Sequence, residues 1–159
     1  MNIAKINKCD TGNGDGIRVS VFVSGCPHHC KGCFNQETWD YDYGNPYTIK
    51  IQEEINEALS KEYVRGLSLL GGEPLAPKNQ KQVLQIIENS KIANPNIDVY
   101  LWTGYTLEEL KKMERDMPTI SSIFHQVDVL IDGRFIEELK DLTLYLRGSS
   151  NQQIHYLHE

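Results

Sequence analysis

The sequence predicts an α/β protein whose parallel sheet is covered by helices and is either open or partly rolled. Short apolar runs alternate along the chain with longer segments of helical periodicity. Turn-forming or polar residues follow each of these short runs. The chain has 159 residues, so we expect one domain over residues 1–159, too short for a complete eight-stranded barrel.

The amino-terminal half predicts two strands and two helices. Residues 17–23 are rich in β-branched types between glycines, which favours a strand. Apolar residues recur at helical spacing over 48–61, and Thr48 is placed to cap that helix. A short apolar strand is predicted at 67–70. A second helix is predicted over 79–91 because its apolar residues share one face.

The carboxyl-terminal half continues the alternation. Residues 97–102 predict a third strand. Thr106 and Glu109 have the spacing of a capping box, which opens a helix to about residue 115. A buried fourth strand is predicted at 127–131, and a short fifth one at 144–146 before a polar tail.

The segments that follow the five predicted strands share turn or polar signatures: 26–33, 71–74, 103–105, 132–134 and 147–152. The carboxyl ends of parallel strands meet at one rim of the sheet, and ligands bind there. We therefore expect these five loops to converge on one site.

Charge and hydropathy exclude two classes of partner. Sixteen Lys and Arg against 22 Asp and Glu give a formal net charge of −6, the wrong sign for a non-specific nucleic-acid binder. No apolar run approaches the ~18 residues of a membrane span. The first residues also lack the apolar core of a signal peptide. We expect a cytoplasmic protein without nucleic-acid or membrane partners.

The spacing of the cysteines indicates which chemistry the protein can support. Three of the four lie within eight positions, as Cys26-x-x-x-Cys30-x-x-Cys33. Thiolates at this close spacing favour an iron–sulfur cluster, for which four protein ligands are usual. With three thiolates, one iron is left without a protein ligand and can bind another group.

Two other interpretations remain open for this loop. Structural zinc could be completed by Cys9, His28 or His29. Cys30 and Cys33 also have the C-x-x-C spacing of a redox pair. Cys9 has no pattern around it and is predicted to be a small buried side chain.

The cysteine loop followed by Gly-Gly-Glu-Pro at 71–74 resembles the radical S-adenosylmethionine enzymes. More narrowly, the chain resembles the activating proteins of anaerobic, class III ribonucleoside-triphosphate reductases. The segments that carry this narrower resemblance are 13–14, 34–35 with 38–39, 101–105, 131–135 and 147–152. The resemblance implies a partial, open parallel β/α barrel of the radical S-adenosylmethionine type.

The resemblance also implies two cofactors, one 4Fe–4S cluster and S-adenosylmethionine. The implied cluster ligands are Cys26, Cys30 and Cys33, with the unique iron chelating the amino and carboxylate groups of the methionine moiety. The implied contacts to the ammonium come from Gly71, Gly72 and Glu73, and those near adenine from Gly32, Cys33 and Phe34. No acid–base side chain is needed, so neither His28 nor His29 is assigned a catalytic role.

The implied activity is reductive cleavage of S-adenosylmethionine to methionine and a 5′-deoxyadenosyl radical. That radical abstracts a hydrogen from a glycine near the carboxyl terminus of the reductase large subunit and leaves a glycyl radical. A low-potential electron donor such as flavodoxin is implied. The alternatives are an activase of another glycyl-radical enzyme, a radical S-adenosylmethionine enzyme acting on a small molecule, and a zinc-binding interaction domain.

Five further residues have two interpretations each. Thr103, Tyr105 and Asp132 either line the S-adenosylmethionine pocket or the glycine entrance, or act as helix caps and turn residues. Trp39 and Trp102 fit either a core or an interface.

Overall fold

The computed structural model describes residues 1–158. The strands are β1 (Asn2–Asp10), β2 (Ile17–Val23), β3 (Asn45–Pro46), β4 (Val64–Gly71), β5 (Asp98–Trp102), β6 (Val129–Asp132) and β7 (Gln153–Tyr156). The α-helices are α1 (Ile49–Leu59), α2 (Gln80–Ala93), α3 (Leu107–Met113) and α4 (Thr119–Phe124). Short 3₁₀ turns cover Gln36–Trp39 and Glu137–Leu139.

The strands form one mixed, open sheet in the order β3-β1-β2-β4-β5-β6-β7. The four central strands β2, β4, β5 and β6 are parallel, as predicted. At the edges, β1, β3 and β7 run antiparallel to their neighbours. In register, Val23 lies beside Gly71, so the carboxyl ends of β2 and β4 reach the same rim.

The two faces of the sheet are packed differently. Side chains alternate between faces along a strand, so every second residue of β2 points toward the helices. The main core on that face combines strand and helix residues, among them Val19, Val21, Leu67, Leu69, Ile55, Ile86, Leu110 and Ile123. A smaller cluster on the other face contains Tyr100, Val129 and Ile131, with Trp102, Leu146 and Ile154 against it. The helices thus cover one face and leave the other for a site.

A buried arginine anchors the sheet at the end opposite the rim. Arg18 is fully buried at the start of β2 and pairs with Asp98 at 2.6 Å. Its Nε donates to Ser68 Oγ at 2.7 Å, and a terminal nitrogen donates to the Leu67 carbonyl at 3.0 Å. The guanidinium also lies over the Tyr100 ring, 4.1 Å from its centroid. These contacts join β2, β4 and β5.

Three features of the sheet differ from the sequence prediction. Residues 144–146 are not a strand but part of a loop, where Leu146 has a φ of 59° and its carbonyl accepts the Trp102 indole N–H at 2.9 Å. The antiparallel pair β1 and β3 on one side of the sheet, and β7 on the other, were not predicted. β3 and β7 lie at the edges, and β1 lies next to an edge and buries only two of its nine residues, so their sequences carry a weak apolar signal.

None of the helices described, over residues 1–158, has both the length and the apolar character required to cross a membrane.

Candidate functional site

A cavity of about 530 Å³ opens at the rim where the parallel strands end. All five predicted loops contribute to its wall, through Cys26, Cys30, Cys33, Gly71, Gly72, Thr103, Gly104, Gly133, Arg147, Gly148 and Gln152. Convergence of these loops on one site is therefore confirmed, although the fifth loop does not follow a strand. No sequence pattern predicted the apolar part of the wall, which includes Phe22, Leu70, Leu142, Leu144 and Leu146.

The cysteine loop is fixed to the 3₁₀ turn that follows it. The Gly25 N–H donates to the Thr38 carbonyl at 2.7 Å, and the Cys26 N–H donates to the Trp39 carbonyl at 3.3 Å. Gly25 has a φ of 98°, and a Cβ there would stand 2.0 Å from the Tyr41 ring. Only glycine fits this conformation and this close approach, so the entry to the loop is specified by its sequence.

The three thiols are half-buried and face the same cavity. Burial raises the pKa of the Cys26 thiol to about 11, although the peptide N–H groups of His28 and His29 oppose that shift. Burial also raises the pKa of Cys30, against a hydrogen bond from the Phe135 backbone. Such thiols lose their protons when a metal centre takes the proton's place.

The surroundings of the thiols suit an iron–sulfur cluster. The Asn35 N–H donates to Cys33 Sγ at 3.4 Å, and hydrogen bonds of this kind to sulfur are typical of iron–sulfur sites. Within residues 1–158, no three His, Cys, Asp or Glu side chains lie close enough together to hold a single metal ion, and this includes the three cysteines, which line the cavity without converging on one point. What suits a cluster is that the three thiols line one cavity and that peptide N–H groups are directed at their sulfur atoms.

The end of β4 passes unusually close to the cysteine loop. A Cβ on Gly71 would lie 2.6 Å from backbone atoms of Val23, and one on Gly72 would lie 2.6 Å from the Gly25 carbonyl oxygen. Gly71 also has a φ of 119°, which favours glycine. The two glycines therefore let peptide groups, without side chains, form this part of the cavity wall.

Glu73 joins three of the loops through its carboxylate, which is fully buried. Its Oε1 lies 2.7 Å from His28 Nε2 and accepts the Gly104 N–H at 2.7 Å. Its Oε2 accepts the Leu75 N–H and the Thr103 hydroxyl, each at 2.8 Å. These partners occupy the carboxylate, so its observed role is to hold the loops together. A contact between Glu73 and S-adenosylmethionine stays a prediction.

The residues expected near adenine lie at the mouth of the cavity. Cys33 and Phe34 line it, and the Phe34 ring, 58% exposed, packs 5.0 Å from the ring of Phe135. Gly32 has a φ of 76° and lies beside Glu137. Their contact with adenine stays a prediction.

The residues with two interpretations separate into two groups. Thr103, Trp39 and Trp102 line the cavity. Asp132 instead accepts N–H groups at the start of α3 and of β7, at 2.7 and 3.1 Å, which is the capping and turn role. Tyr105 packs edge-on against the His28 ring at 4.5 Å, and burial raises its pKa to about 12.

Cys9 is exposed, so the prediction that it is buried was wrong. The pairing of β1 with β2 is irregular between Asn7 and Asp10, and the Cys9 N–H donates to the Asn7 side chain at 3.1 Å instead of to the ladder. This irregularity leaves the Cys9 side chain in solvent, away from the cavity.

Comparison with known proteins agrees with this geometry. Residues 12–155 match the family model of a 4Fe-4S single cluster domain, which supports an iron–sulfur cluster. A relative from Vibrio cholerae is 43% identical over 98% of this chain and 97% of its own length. Relatives from Escherichia coli strain K12 and Enterobacteria phage T4 are 38% and 40% identical, over 99% and 97% of this chain and 99% and 93% of their own. All three are named anaerobic ribonucleoside-triphosphate reductase-activating protein. With this similarity over nearly its full length, the chain belongs to the family of anaerobic ribonucleoside-triphosphate reductase-activating proteins.

Proposed function

We propose that this protein activates an anaerobic ribonucleoside-triphosphate reductase by radical S-adenosylmethionine chemistry, on an open β/α barrel of that type. The observation that carries the proposal is one cavity lined by three thiols and by the Gly71–Gly72 end of β4. When bound and reduced, the cluster supplies one electron to the sulfonium, which yields methionine and a 5′-deoxyadenosyl radical that takes a hydrogen atom from a glycine Cα of the reductase large subunit. The electron comes from a low-potential donor such as flavodoxin.

The chain's own residues bind and orient the two cofactors. Cys26, Cys30 and Cys33 hold the cluster and leave one iron free for the amino and carboxylate groups of S-adenosylmethionine. An ammonium group needs hydrogen-bond acceptors, and the Gly71 and Gly72 peptides offer carbonyl oxygens that no Cβ obstructs. Glu73 keeps the cysteine loop, the glycine loop and the Thr103 loop in fixed relation.

The apolar walls protect the reaction from water and from side reactions. Phe22, Leu70, Leu144 and Leu146 line the cavity. A carbon radical formed among them meets few groups that could quench it before the substrate hydrogen. The cavity remains open on one side, and the substrate is a segment of another protein. That segment completes the enclosure when it enters.

Anaerobic reconstitution with iron and sulfide tests the chemistry. With dithionite and S-adenosylmethionine, we expect 5′-deoxyadenosine from the wild-type protein. Cys26→Ala, Cys30→Ala and Cys33→Ala should lose this product, because each removes a cluster ligand. Cys9→Ala is the matched control and should retain it, because Cys9 is exposed and lies outside the cavity. A protein that takes up one tightly bound zinc ion and no cluster would overturn the proposal.

A second assay identifies the partner. The reconstituted protein, with S-adenosylmethionine and the reductase, should produce the doublet electron paramagnetic resonance signal of a glycyl radical. Formation of 5′-deoxyadenosine without that signal would favour an activase of another glycyl-radical enzyme, or a small-molecule substrate.

A further inference from the structure

His28 lies in the middle of the cysteine loop and has a buried side chain that the proposed chemistry does not use. The side chain is 5% exposed, and its Nε2 lies 2.7 Å from Glu73 Oε1. The next residue differs, because His29 is exposed to solvent. His28 therefore ties the segment between Cys26 and Cys30 to the loop at the end of β4.

The loop after β5, residues 103–105, surrounds the His28 ring and its partner. A Cβ on Gly104 would lie 2.7 Å from His28 Nε2 and closer still to Cδ2, so glycine is needed there to admit the ring. The Tyr105 ring packs edge-on against it, with centroids 4.5 Å apart. Thr103 and Gly104 also donate to the Glu73 carboxylate, at 2.8 and 2.7 Å. All three residues of this loop thus support the contact between His28 and Glu73.

The other attachments of the cysteine loop lie at its base or in solvent. At the base, the Glu73 N–H donates to the Gly25 carbonyl at 2.7 Å. Beyond the second cysteine, Lys31 is 83% exposed and pairs with Glu137 across 3.7 Å. An exposed pair of this kind contributes little to stability. His28 is therefore the buried side chain that holds the part of the loop between these two attachments.

We propose that His28 is a positioning residue, which holds the cysteine loop at the separation from the Gly71–Gly72 peptides that S-adenosylmethionine spans. The inference rests on the proposed function, in which the methionine moiety binds the unique iron and also contacts these peptides. A group that must contact both loops binds well only when they are held at the right separation beforehand. Loss of the His28 contact should leave three thiols to hold the cluster but weaken cofactor binding by about 10- to 100-fold.

Anaerobic titration calorimetry measures this affinity without turnover, with the cluster oxidised and no reductant present. His28→Asn removes the ring and shortens the side chain, so the Kd for S-adenosylmethionine should rise by about 10- to 100-fold. His28→Gln places an amide donor near the former Nε2 and should recover most of the affinity. His29→Asn is the matched control and should leave the Kd unchanged, because His29 is exposed and asparagine tolerates its φ of 48°. Iron and sulfide content must be equal in the variants compared.

Gly104→Ala tests the same contact from the other side. The three atoms nearest to the added Cβ all belong to the His28 ring. Alone, this substitution should displace the ring and raise the Kd as His28→Asn does. Combined with His28→Ala, it should cause no further loss, because the ring that it would displace is absent. Equal losses from Gly104→Ala in both backgrounds would overturn the proposal.

Thiol alkylation of the cluster-free protein covers the case in which His28→Asn fails to take up a cluster. Cys26 and Cys30 are half-buried on either side of His28, whereas Cys9 is exposed. In His28→Asn the first two should react faster than in the wild type and in His29→Asn, because a loosened loop exposes them, and Cys9 should react at the same rate in all three.

The proposal is wrong if Cys26 and Cys30 react at the same rate in all three proteins, or if a loaded His28→Asn protein binds S-adenosylmethionine as the wild type does. It is also wrong if His28→Gln binds no better than His28→Asn, since the loss would then belong to ring packing and not to the Glu73 contact. A loaded wild type that does not bind S-adenosylmethionine would instead contradict the proposed function, and the alkylation rates would still show whether His28 holds the loop.

Discussion

Among single residues, Glu73 is the one predicted to hold the loops of the site together. Its carboxylate accepts from two peptide N–H groups and the Thr103 hydroxyl, and it contacts His28, with no solvent exposure. In Glu73→Gln, an amide NH₂ would replace one acceptor oxygen and face donors. We expect a loss of about 2–5 kcal/mol in the free energy of unfolding, because buried donors are left without partners.

Urea unfolding of the protein without its cluster, under anaerobic conditions, measures this loss. Glu108→Gln is a matched control, since the Glu108 side chain is 83% exposed and pairs only with Lys112 in the next turn. Its effect should stay within about 0.5 kcal/mol. Equal stability of the two variants would show that the buried carboxylate does not hold the loops together.

The Glu109–Arg134 pair makes the stability of the fold depend on pH, and the direction of this dependence can be predicted. Hydrogen bonds from Arg134, at 2.7 and 2.9 Å, hold the pKa of Glu109 at about 2, below its ordinary value of 4.5. A carboxyl with a lowered folded-state pKa stabilises the protein above its unfolded pKa and loses that contribution as the pH falls. Stability should therefore fall between about pH 4.5 and pH 2.

Glu109→Gln should reduce the slope of unfolding free energy against pH in that interval, and Glu108→Gln should leave it close to the wild-type slope. The measurement is thermal or urea unfolding at a series of pH values. An unchanged slope in Glu109→Gln would mean that the Arg134 pair does not form in solution. Because Arg134 follows β6, this pair also ties α3 to the loop that carries Gly133 and Phe135.

At the scale of elements, Arg18 determines how three strands are held at the base of the sheet. Arg18→Met would leave Asp98, Ser68 and the Leu67 carbonyl without their shared donor. Asp98 is 26% exposed and keeps Arg65, so the loss comes mainly from the buried Leu67 carbonyl and Ser68 hydroxyl, and we expect about 1–3 kcal/mol, the cost of buried polar groups left without a partner.

Arg65→Met offers a control on the same acceptor. Arg65 also pairs with Asp98, at 3.4 Å, but its side chain is 59% exposed. An exposed pair contributes at most about 1 kcal/mol, so this variant should be only slightly less stable than the wild type. Urea unfolding compares the two, and similar losses would contradict the assignment of Arg18 as the anchor.

The elements that could be predicted are those with a periodic apolar signal. The parallel strands and α1, α2 and α3 are buried on defined faces, and the Thr106–Glu109 capping box is present in the structure. The strand β7 escaped prediction because it lies at an edge and most of its residues are polar. Residues 144–146 have the apolar character of a strand, but Leu144 and Leu146 line the cavity and the segment belongs to no strand; Leu146 packs with Trp102.

The residues of the site also divide into those that the sequence identifies and those that only the folded structure identifies. The cysteines and glycines were identifiable because their chemistry and spacing are specific. The role of the Glu73 carboxylate as the shared partner of His28, Thr103 and Gly104 could not be predicted. Only the folded chain brings these distant residues together.

For the molecule as a whole, the proposed function requires a protein substrate, and the open side of the cavity offers it an entrance. Apolar side chains are exposed around this mouth, with Phe34 at 58% and Leu139 at 41% exposure. Lys140 lies over the Phe34 ring, 5.3 Å from its centroid, so the 3₁₀ turn that ends at Leu139 borders the entrance. Exposed apolar groups beside a site are typical of a protein contact.

Leu139→Asp should therefore weaken the contact with the reductase, because a charge would replace an apolar contact beside the entrance. We expect the KM for the reductase to rise about 5- to 10-fold, which corresponds to about 1–1.4 kcal/mol. Cluster content and the 5′-deoxyadenosine formed without reductase should stay at wild-type values. Ile92→Asp is the control. Ile92 is 81% exposed on α2, which covers the helical face of the sheet, so this variant should leave the KM unchanged.

If both variants raise the KM equally, the effect is one of net charge, since each adds one negative charge to a protein with a net charge of −6. If only Leu139→Asp raises it, the reductase docks at the cavity mouth and closes the open side of the sheet over its own glycine.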